Sequence, residues 1–579
     1  MATSGLDVGS LTGSTGSGFR LAGTGSGLDT AKLLEAMVAA RRSVATRLET
    51  RIEKNDARIA GLEELRGHLG TLHAAVAGLR NPPGFLGAAD NSFERKDVYF
   101  SADTTTSPAS LLGVQAANSA ASGRFEVIVE QLATARKFSG DPASSGSARL
   151  ADSLNGGNHF SGTFTIGLAG SGRTAEIAVD GEMSLNDLRA AINAVTQDAG
   201  VSAHTLAVDA TDHRLVLTAG EMGTEVSLAA GSGDDVLGIL GLSADGGASF
   251  KNSLATAQQA RFSVDGVTLE RTTNTVTDAV PGLTFSLFRA EPGTKVSVEV
   301  APALGSIKEK ILGVVDAYNA LKDFAATHMT LDAGGKVAAD AVLYGDSNLR
   351  NVMQAAAQLV GEEVAGLDTG LARSLAGIGI RLNGANRLEV DNAKLDQTLL
   401  TRLDEVRGVF EFRFNASSAE LTLFSRSSSF TAGSFSLDIV DADADGTPES
   451  ASADGVAFDI VGKRLVGREG TAYEGLSMMW SGSGSTTIDV ATSRGVGEKL
   501  FDLLDSTIAA GSGRLSQAID SIAGQNERHV SEITRIDERV ADYRENLIQR
   551  FAAMEQAMSL AESMIQQIRA QMAGMGSEP

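Results

Sequence analysis

The chain has 579 residues, 42% of them hydrophobic, and it has no cysteine, which excludes disulfides, thiolate zinc sites and cysteine nucleophiles. Its length predicts about three to five domains, and no apolar run reaches the roughly 18 residues expected of a membrane-spanning helix. The formal net charge of −23 at pH 7 argues against nucleic acid and membrane insertion, although it also fits the simpler role of keeping the chain soluble.

Residues 1–27 are rich in glycine, serine and threonine. They cannot bury enough apolar surface to offset the entropy of ordering, so they predict a disordered leader. The leader lacks the basic and apolar blocks of a Sec-type signal peptide, and we expect none. A helix should begin at Asp29 or Thr30, since either side chain can cap it.

An N-terminal coiled-coil helix is predicted over residues 28–80. Its apolar residues follow the alternating three- and four-residue spacing of a coiled-coil seam, which Asn55 and Arg66 interrupt. The prolines in Asn81–Phe85 should end the helix, because they remove two backbone donors and clash with the preceding turn. The residues predicted to pack in this seam are Leu48, Ile52, Ile59, Leu62 and Leu69.

The middle of the chain reads mostly as β-structure, because short segments alternate apolar and polar residues between glycine-containing turns. We predict a β domain in two parts, 81–132 and 259–302, around an inserted β-rich head at 133–258. One helix interrupts the head at Ser184–Val195, with Ser184 and Asp187 as a capping box. A helical leg domain over 303–409 and an additional β insertion over 410–492 follow.

Residues 493–579 predict a C-terminal coiled-coil helix and tail, since 525–573 contain neither glycine nor proline. The step from Leu547 to Met558 departs from a strict heptad, which locally relaxes a supercoil. The predicted packing residues are Ile536, Val540, Tyr543, Leu547, Phe551, Met554 and Met558, in a stripe that starts at Ile533 and continues through Ala561, Ile565, Ile568 and Met572. The fold class is therefore α+β multidomain, with a terminal α-helical coiled-coil leg and inserted antiparallel β domains.

Asp441, Asp443 and Asp445, followed by Gly446, match the first half of a calcium loop, in which alternate side chains converge on the ion. Position twelve is Ser452 rather than glutamate, and the flanking segments predict strands instead of helices. The acidic loop, Asp441–Ser450, thus fits either a weak metal site or a solvated acidic hairpin. We assign no metal and no cofactor.

Other chemical signals are weak. His68 and His73 are five residues apart and do not share a helical face. The leader lacks the spacing and the lysine of a phosphate-binding loop, and no serine lies in a nucleophile elbow with plausible partners. Trp480 fits packing in a β domain better than a carbohydrate platform. The sequence therefore predicts no enzyme.

Several motifs, taken together in their order, resemble the flagellar filament cap protein family, also called hook-associated protein 2. Residues 162–194 look like the β-β-α unit that recurs in flagellar hook and filament proteins. The leader before Gly25 is longer than usual in the family, and residues 411–490 look like an insertion of unassigned role. The other motifs that carry the resemblance lie at Gly25–Arg42, Ala121–Gly140, Phe262–Leu287, Ile307–Leu321, Leu343–Arg350, Leu375–Leu399 and Tyr543–Ser559.

The resemblance implies a homo-oligomeric ring, a pentamer in the usual arrangement, at the distal end of the bacterial flagellum. There it would promote folding and insertion of exported flagellin and prevent its loss. Further implied partners are the hook–filament junction protein and a type III export chaperone, and the implied location is extracellular after export by the flagellar type III system. The alternative is an extracellular adhesin whose β domains bind glycans or host surfaces.

The incomplete N-terminal seam suggests that the terminal helices stay mobile until they meet matching helices of the filament. Asn55 and Arg66 lie in its stripe, and Gly61, Gly67 and Gly70 reduce helix stability. Ordering that is coupled to docking would make attachment adaptable and individually weak. The alternative is an ordinary intramolecular helix pair.

Overall fold

The computed structural model describes residues 30–81, 91–331, 334–367, 372–427, 430 and 433–575. The predicted leader and the end of the tail lie outside these residues. The chain divides into a helical unit and a β unit. The helical unit draws on residues up to Ala77, on Gly313–Leu395 and on residues from Arg494 onward, and the β unit comprises Gly78–Leu312 and Asp396–Ser493.

Twelve α-helices occur among the described residues. In chain order they are α1 Thr30–Ala77, α2 Pro108–Leu111, α3 Leu150–Leu154, α4 Leu185–Ala194, α5 Thr196–Ala199, α6 Val236–Ile239, α7 Leu304–His328, α8 Ser347–Gly361, α9 Asn392–Thr401, α10 Leu403–Phe410, α11 Val496–Ile508 and α12 Arg514–Met575.

The same residues contain twenty-five strands. They are β1 Lys96–Ala102, β2 Leu112–Ala116, β3 Gly123–Gln131, β4 Ala135–Ser139, β5 Ser161–Leu168, β6 Thr174–Asp180, β7 Val201–Ala207, β8 His213–Met222, β9 Val226–Gly233, β10 Asn252–Ala255, β11 Ala260–Val264, β12 Val267–Arg271, β13 Thr275–Val276, β14 Leu283–Leu287, β15 Val296–Pro302, β16 Ile380–Leu382, β17 Leu388–Val390, β18 Phe412–Ala416, β19 Leu421–Arg426, β20 Phe435–Val440, β21 Ser450–Ala453, β22 Val456–Val461, β23 Arg464–Gly467, β24 Leu476–Trp480 and β25 Thr486–Arg494.

Three hydrophobic cores lie in the described part of the β unit. In the first, the sheet β1-β15-β3-β11-β12 and the sheet β13-β14-β2 bury residues such as Phe262 and Phe285. In the second, the sheets β10-β4-β8-β7 and β6-β5-β9 enclose a core drawn from residues 135–250, with Leu188 and Ile192 of α4 against it. The third core belongs to the eight-stranded sheet β18-β25-β20-β21-β22-β23-β24-β19 and contains Trp480.

Local patterns account for the elements that the sequence predicted well. Alternate residues of β20 are buried, from Phe435 to Ile439, as expected for a strand with one face on a core. The capping box before α4 is confirmed, because Ser184 Oγ accepts from Asp187 N and the Asp187 carboxylate accepts from Ser184 N. Trp480 is 1% exposed within its core, as the packing interpretation predicted.

The start of the last helix and the content of residues 303–409 differ from prediction. Helix α12 begins at Arg514 rather than near 525 and includes Gly524, where an added Cβ would contact only Arg528, at 3.8 Å. A single glycine costs a long helix only about 1 kcal/mol, so it does not end one. Residues 303–409 are not entirely helical, because β16 and β17 form a hairpin there, with Asn386 at a φ of 56°.

A charged network lies in the β unit beside the start of β18. The carboxylate of Glu411, 2% exposed, accepts from Arg407 Nε at 2.7 Å and from Asn91 Nδ2 at 2.5 Å. Arg407 also pairs with Glu94. Burial raises the pKa of the Glu411 carboxyl, and the Arg407 guanidinium opposes that rise. The network therefore joins residues 91–94 to α10 through a buried carboxylate that needs its arginine.

Candidate functional site

The terminal helices α1 and α12 pack directly against each other in the helical unit. Ala45, Leu48 and Ile536 form a buried apolar cluster, with Ile533 and Val540 against it. Polar pairs along the two helices join residue 42 to 537 and residue 55 to 526, so the helices run antiparallel. We call this pair of helices the leg and the five apolar residues its seam.

Arg42 flanks the seam and links the two helices. Its Nε donates to Asp537 at 2.9 Å and its Nη2 to Glu49 at 2.7 Å. These hydrogen bonds, that to Asp537 first, raise the pKa of the Arg42 guanidinium. The side chain is 39% exposed, and such a pair contributes at most about 1 kcal/mol. Its effect is to favour the correct helix orientation and register.

Asn55 interrupts the apolar stripe of α1 in the sequence, but in the structure its side chain has a polar partner on α12. Its Nδ2 donates to Asn526 Oδ1 at 2.8 Å, and Asn526 Nδ2 donates to Asp56 Oδ1 at 2.7 Å. A polar pair at a seam position costs stability but selects one register, because any slip leaves both amides unpaired. Over residues 42–55, α1 therefore pairs with α12 of the same chain, as the alternative hypothesis of an ordinary intramolecular helix pair predicted.

The second half of α1 packs on other parts of the helical unit. The His68 ring lies 5.0 Å from the ring of Phe324, and the His73 ring lies 4.1 Å from that of Phe501, measured between ring centres. Both histidines therefore pack against phenylalanines, in keeping with the expectation that they do not share a site.

The segment Leu343–Arg350, singled out in the sequence, contacts α1 through two residues. Asp346 caps α8, with Oδ1 accepting from Asn348 N at 2.8 Å, while its Oδ2 accepts from Arg58 Nη2 at 2.5 Å. One turn further along α1, a Cβ added at Gly61 would lie 3.1 Å from Leu343 Cγ. The glycine is thus needed for close approach, and the aspartate fixes the direction of α8.

A second segment noted in the sequence, Ile307–Leu321, makes side-chain hydrogen bonds to the backbone of the β16–β17 hairpin. Asn319 Nδ2 donates to Leu388 O at 2.9 Å and its Oδ1 accepts from Leu388 N at 2.9 Å. Tyr318, fully buried, donates its hydroxyl to Asn386 O at 3.3 Å. The asparagine satisfies both polar groups of one hairpin residue, as a neighbouring strand would.

The three glycines of α1 have different roles, which yields a paired prediction. A Cβ at Gly61 would lie 2.8 Å from Val342 Cγ2, whereas a Cβ at Gly67 or Gly70 would meet nothing within 4 Å. We expect Gly67→Ala to raise the stability of the helical unit by roughly 1 kcal/mol and Gly61→Ala to lower it by about 1–3 kcal/mol. Thermal unfolding followed by circular dichroism at a helix band measures both, and equal shifts would contradict the assignment.

The structure places the predicted packing residues in three groups. Leu48 and Ile536 meet in the seam with Val540, and Arg41 lies over the Tyr543 ring, 5.1 Å from its centre. Leu62, Leu69 and Leu547 are also buried. The remaining predicted residues are half-buried, namely Ile52, Ile59, Phe551, Met554 and Met558.

The last turns of α12 present an apolar surface to solvent. The sequence stripe continues there, and five large apolar side chains of these turns are 49–69% exposed in the described structure. We call these residues the exposed stripe: Leu560, Met564, Ile565, Ile568 and Met572. Isolated exposed apolar residues are ordinary, whereas a contiguous row on one helix end marks an interaction surface.

The acidic loop brings together a set of carboxylates that overlaps only in part with the one that the sequence suggested. Asp441 and Asp443 come together with Glu449 and not with Asp445, whose carboxylate instead accepts from Thr447 N at 2.7 Å. Asp441 is 1% exposed, so the description of a solvated hairpin fails at its first residue. Glu449 lies at position nine of the loop, whereas the glutamate of a calcium loop is expected at position twelve, so the sequence pattern does not single it out.

Comparisons with known proteins match the chain along most of its length. The model of the flagellar hook-associated protein 2 N-terminus matches residues 26–136, and that of the C-terminus of the same family matches residues 257–563. The flagellin hook IN motif matches residues 163–221, which agrees with the β-β-α unit noted in the sequence.

Curated relatives agree with these models. The A-type flagellar hook-associated protein 2 of Pseudomonas aeruginosa is 28% identical over 408 residues, covering 67% of this chain and 79% of that protein. Flagellar hook-associated protein 2 of Escherichia coli K12 is 26% identical over 395 residues, covering 65% of this chain and 77% of that protein.

A solved structure shares the fold. The crystal structure of the D1, D2 and D3 domains of the flagellar cap protein FliD from Escherichia coli has a TM-score of 0.51 and 19% sequence identity. It covers 80% of this chain and 99% of that chain. The combination of helical legs and β domains is therefore a known architecture.

Proposed function

Because the chain belongs to the flagellar hook-associated protein 2 family, whose C-terminal model spans residues 257–563, we propose that it caps the distal end of the bacterial flagellar filament. The cap promotes folding and insertion of exported flagellin subunits and prevents their loss. The observation that carries this function is the match of both family models, which together include most of α1 and α12. The role is mechanical, and we assign it no bond-breaking step.

The leg supplies attachment in this proposal. Its seam is closed within one chain, whereas the exposed stripe offers apolar side chains at the far end of α12. Helices of neighbouring subunits would cover that stripe and bury its apolar surface. In this proposal the docking surface lies beyond the intramolecular pairing, and mobility of the helix ends before docking stays a prediction.

Copies of this chain and flagellin are its partners as a cap. For the finer assembly, we propose a ring of five copies, attachment above the hook–filament junction protein, and escort by a type III export chaperone before secretion. The location is extracellular, at the flagellar tip, after flagellar export. None of the described helices is long and apolar enough to cross a bilayer. Nothing in the described sheets favours the adhesin hypothesis over capping.

Deletion of the gene in its host tests the proposal. We expect cells that secrete flagellin monomers into the medium and carry few or no filaments, with both defects reversed by the wild-type gene. Immunoblotting of flagellin in the medium and electron microscopy of the cells measure the two effects. Normal filaments on the deletion strain, with only attachment to surfaces lost, would replace capping by adhesion.

A further inference from the structure

The acidic loop lies at the end of a β-hairpin whose register brings its two ends together. Val440, the last residue of β20, pairs with Ser450 of β21, and Glu449 N donates to Val440 O at 2.9 Å. Asp441 and Glu449 therefore face each other directly beyond the last strand pair. Pairing of the flanking strands, rather than of helices, positions these carboxylates.

Three carboxylates converge in this loop. One oxygen each from Asp441, Asp443 and Glu449 lies within 4.8 Å of the others. Calcium binds oxygen ligands at about 2.3–2.6 Å, so ligands on opposite sides of the ion are about 5 Å apart. The three residues occupy positions one, three and nine of the loop, all of which are ligand positions in calcium loops.

Asp441 provides an independent sign that a cation is needed. Its Oδ2 accepts from Gly484 N at 2.8 Å and from Gly446 N at 3.1 Å. Its Oδ1 is buried and has no hydrogen-bond partner within the described part of the chain. A buried carboxylate oxygen without a partner is costly, and a bound cation removes that cost.

The backbone has the sharp turn that such a loop requires. Gly446, at position six, has a φ of 81°, which favours glycine there. A Cβ at Gly446 would also lie 3.0 Å from Lys463 Nζ and 3.1 Å from Gly482 O. Four carboxylates fall within nine residues of sequence, so the ammonium of Lys463 offsets only part of their charge.

We propose that Asp441, Asp443 and Glu449 form a calcium site that stabilises the eight-stranded sheet. Ca²⁺ accepts irregular arrangements of carboxylate ligands, whereas Mg²⁺ demands near-octahedral geometry and gives up its water reluctantly, so this loop favours Ca²⁺. Because the dissociation constants of extracellular calcium modules are on the order of 0.1–1 mM, we expect a value in that range. The site belongs to the β unit, and the proposal does not rest on the capping function.

The intact protein allows a direct test, because Trp480 is its single tryptophan. A Cβ at Gly482 would lie 2.5 Å from the Trp480 ring, which places the indole close to the loop. Chelator-treated protein is titrated with Tb³⁺ under tryptophan excitation and then with Ca²⁺ or Mg²⁺. Isothermal titration with Ca²⁺ and thermal unfolding followed by Trp480 fluorescence complete the measurement.

We expect saturable terbium luminescence that Ca²⁺ displaces and Mg²⁺ does not, and a higher unfolding temperature in Ca²⁺. Asp443→Asn and Glu449→Gln should each weaken Ca²⁺ binding at least about tenfold. Asp438→Asn, an equal charge change on the exposed face of β20, should leave binding unchanged. No Ca²⁺ heat or thermal shift at roughly 10 mM, or equal binding by Asp443→Asn and wild type, would overturn the proposal.

Discussion

Arg407→Ala is expected to cost the β unit about 3–5 kcal/mol, because it leaves the Glu411 carboxylate buried without its cation. Asn91 would still donate one hydrogen bond to Glu411, but a neutral donor does not balance a buried charge. Urea unfolding followed by Trp480 fluorescence measures the loss, since Phe412, next to Glu411 in sequence, packs in the Trp480 core.

The pH dependence of this variant has a defined sign. Burial raises the pKa of Glu411 in the folded chain, and removing the arginine should raise it further. A carboxyl whose pKa is higher folded than unfolded favours folding at low pH and loses that contribution as pH rises through the folded value. Arg407→Ala should therefore be more damaging at pH 7 than at pH 5.

Two further variants test whether the unpaired charge of Glu411 causes the loss of stability. Arg402→Ala removes an ion pair with Glu405 in the same region, in which the arginine side chain is 45% exposed, and should cost clearly less than Arg407→Ala. Adding Glu411→Gln to Arg407→Met should recover most of the loss, because no buried charge remains. A loss that is the same with and without Glu411→Gln would show that the arginine acts through packing alone.

The second large effect concerns the exposed stripe. Ile565→Glu combined with Ile568→Glu is expected to abolish capping while leaving the free monomer folded, because both side chains are about half exposed there. Burying a fully exposed isoleucine contributes about 1.5–3 kcal/mol, so covering the exposed half of two such side chains contributes roughly 1.5–3 kcal/mol, which the variant would lose. That corresponds to roughly a tenfold to hundredfold loss of affinity.

Complementation of a deletion strain measures this effect through flagellin released into the medium, and circular dichroism checks the fold. Gln566→Glu with Gln567→Glu adds the same charge between the two isoleucines in sequence and serves as the matched control. The control should cap normally. Normal capping by the isoleucine variant would mean that the exposed stripe is not a docking surface.

The sequence predicted those parts of the fold that depend on short-range pattern. Alternation identified strands such as β20, and the capping box identified the start of α4. The three-four spacing identified both helices of the leg, and Leu48 and Ile536 do meet in the seam. The domain boundaries and the role of the insertion at 410–492 stay predictions.

Other features depend on contacts distant in sequence and could not be read from it. Asn55 looked like a defect because its partner, Asn526, is 471 residues away. Gly61 looked like Gly67, although only Gly61 has a neighbour that leaves no space for a Cβ. Glu449 joins the acidic cluster because of strand register, which a search for a helix-flanked calcium loop does not consider.

The proposed attachment requires that α1 and α12 form one leg within a single chain. Since the chain has no cysteine, Ala45→Cys with Ile536→Cys can be oxidised without side reactions, and Ala45→Cys with Ile568→Cys is the control. We predict that the first pair forms a disulfide within one copy at low protein concentration, seen as a shift in non-reducing electrophoresis, and that the control does not. Disulfides formed only between copies, or none from the first pair, would contradict the leg.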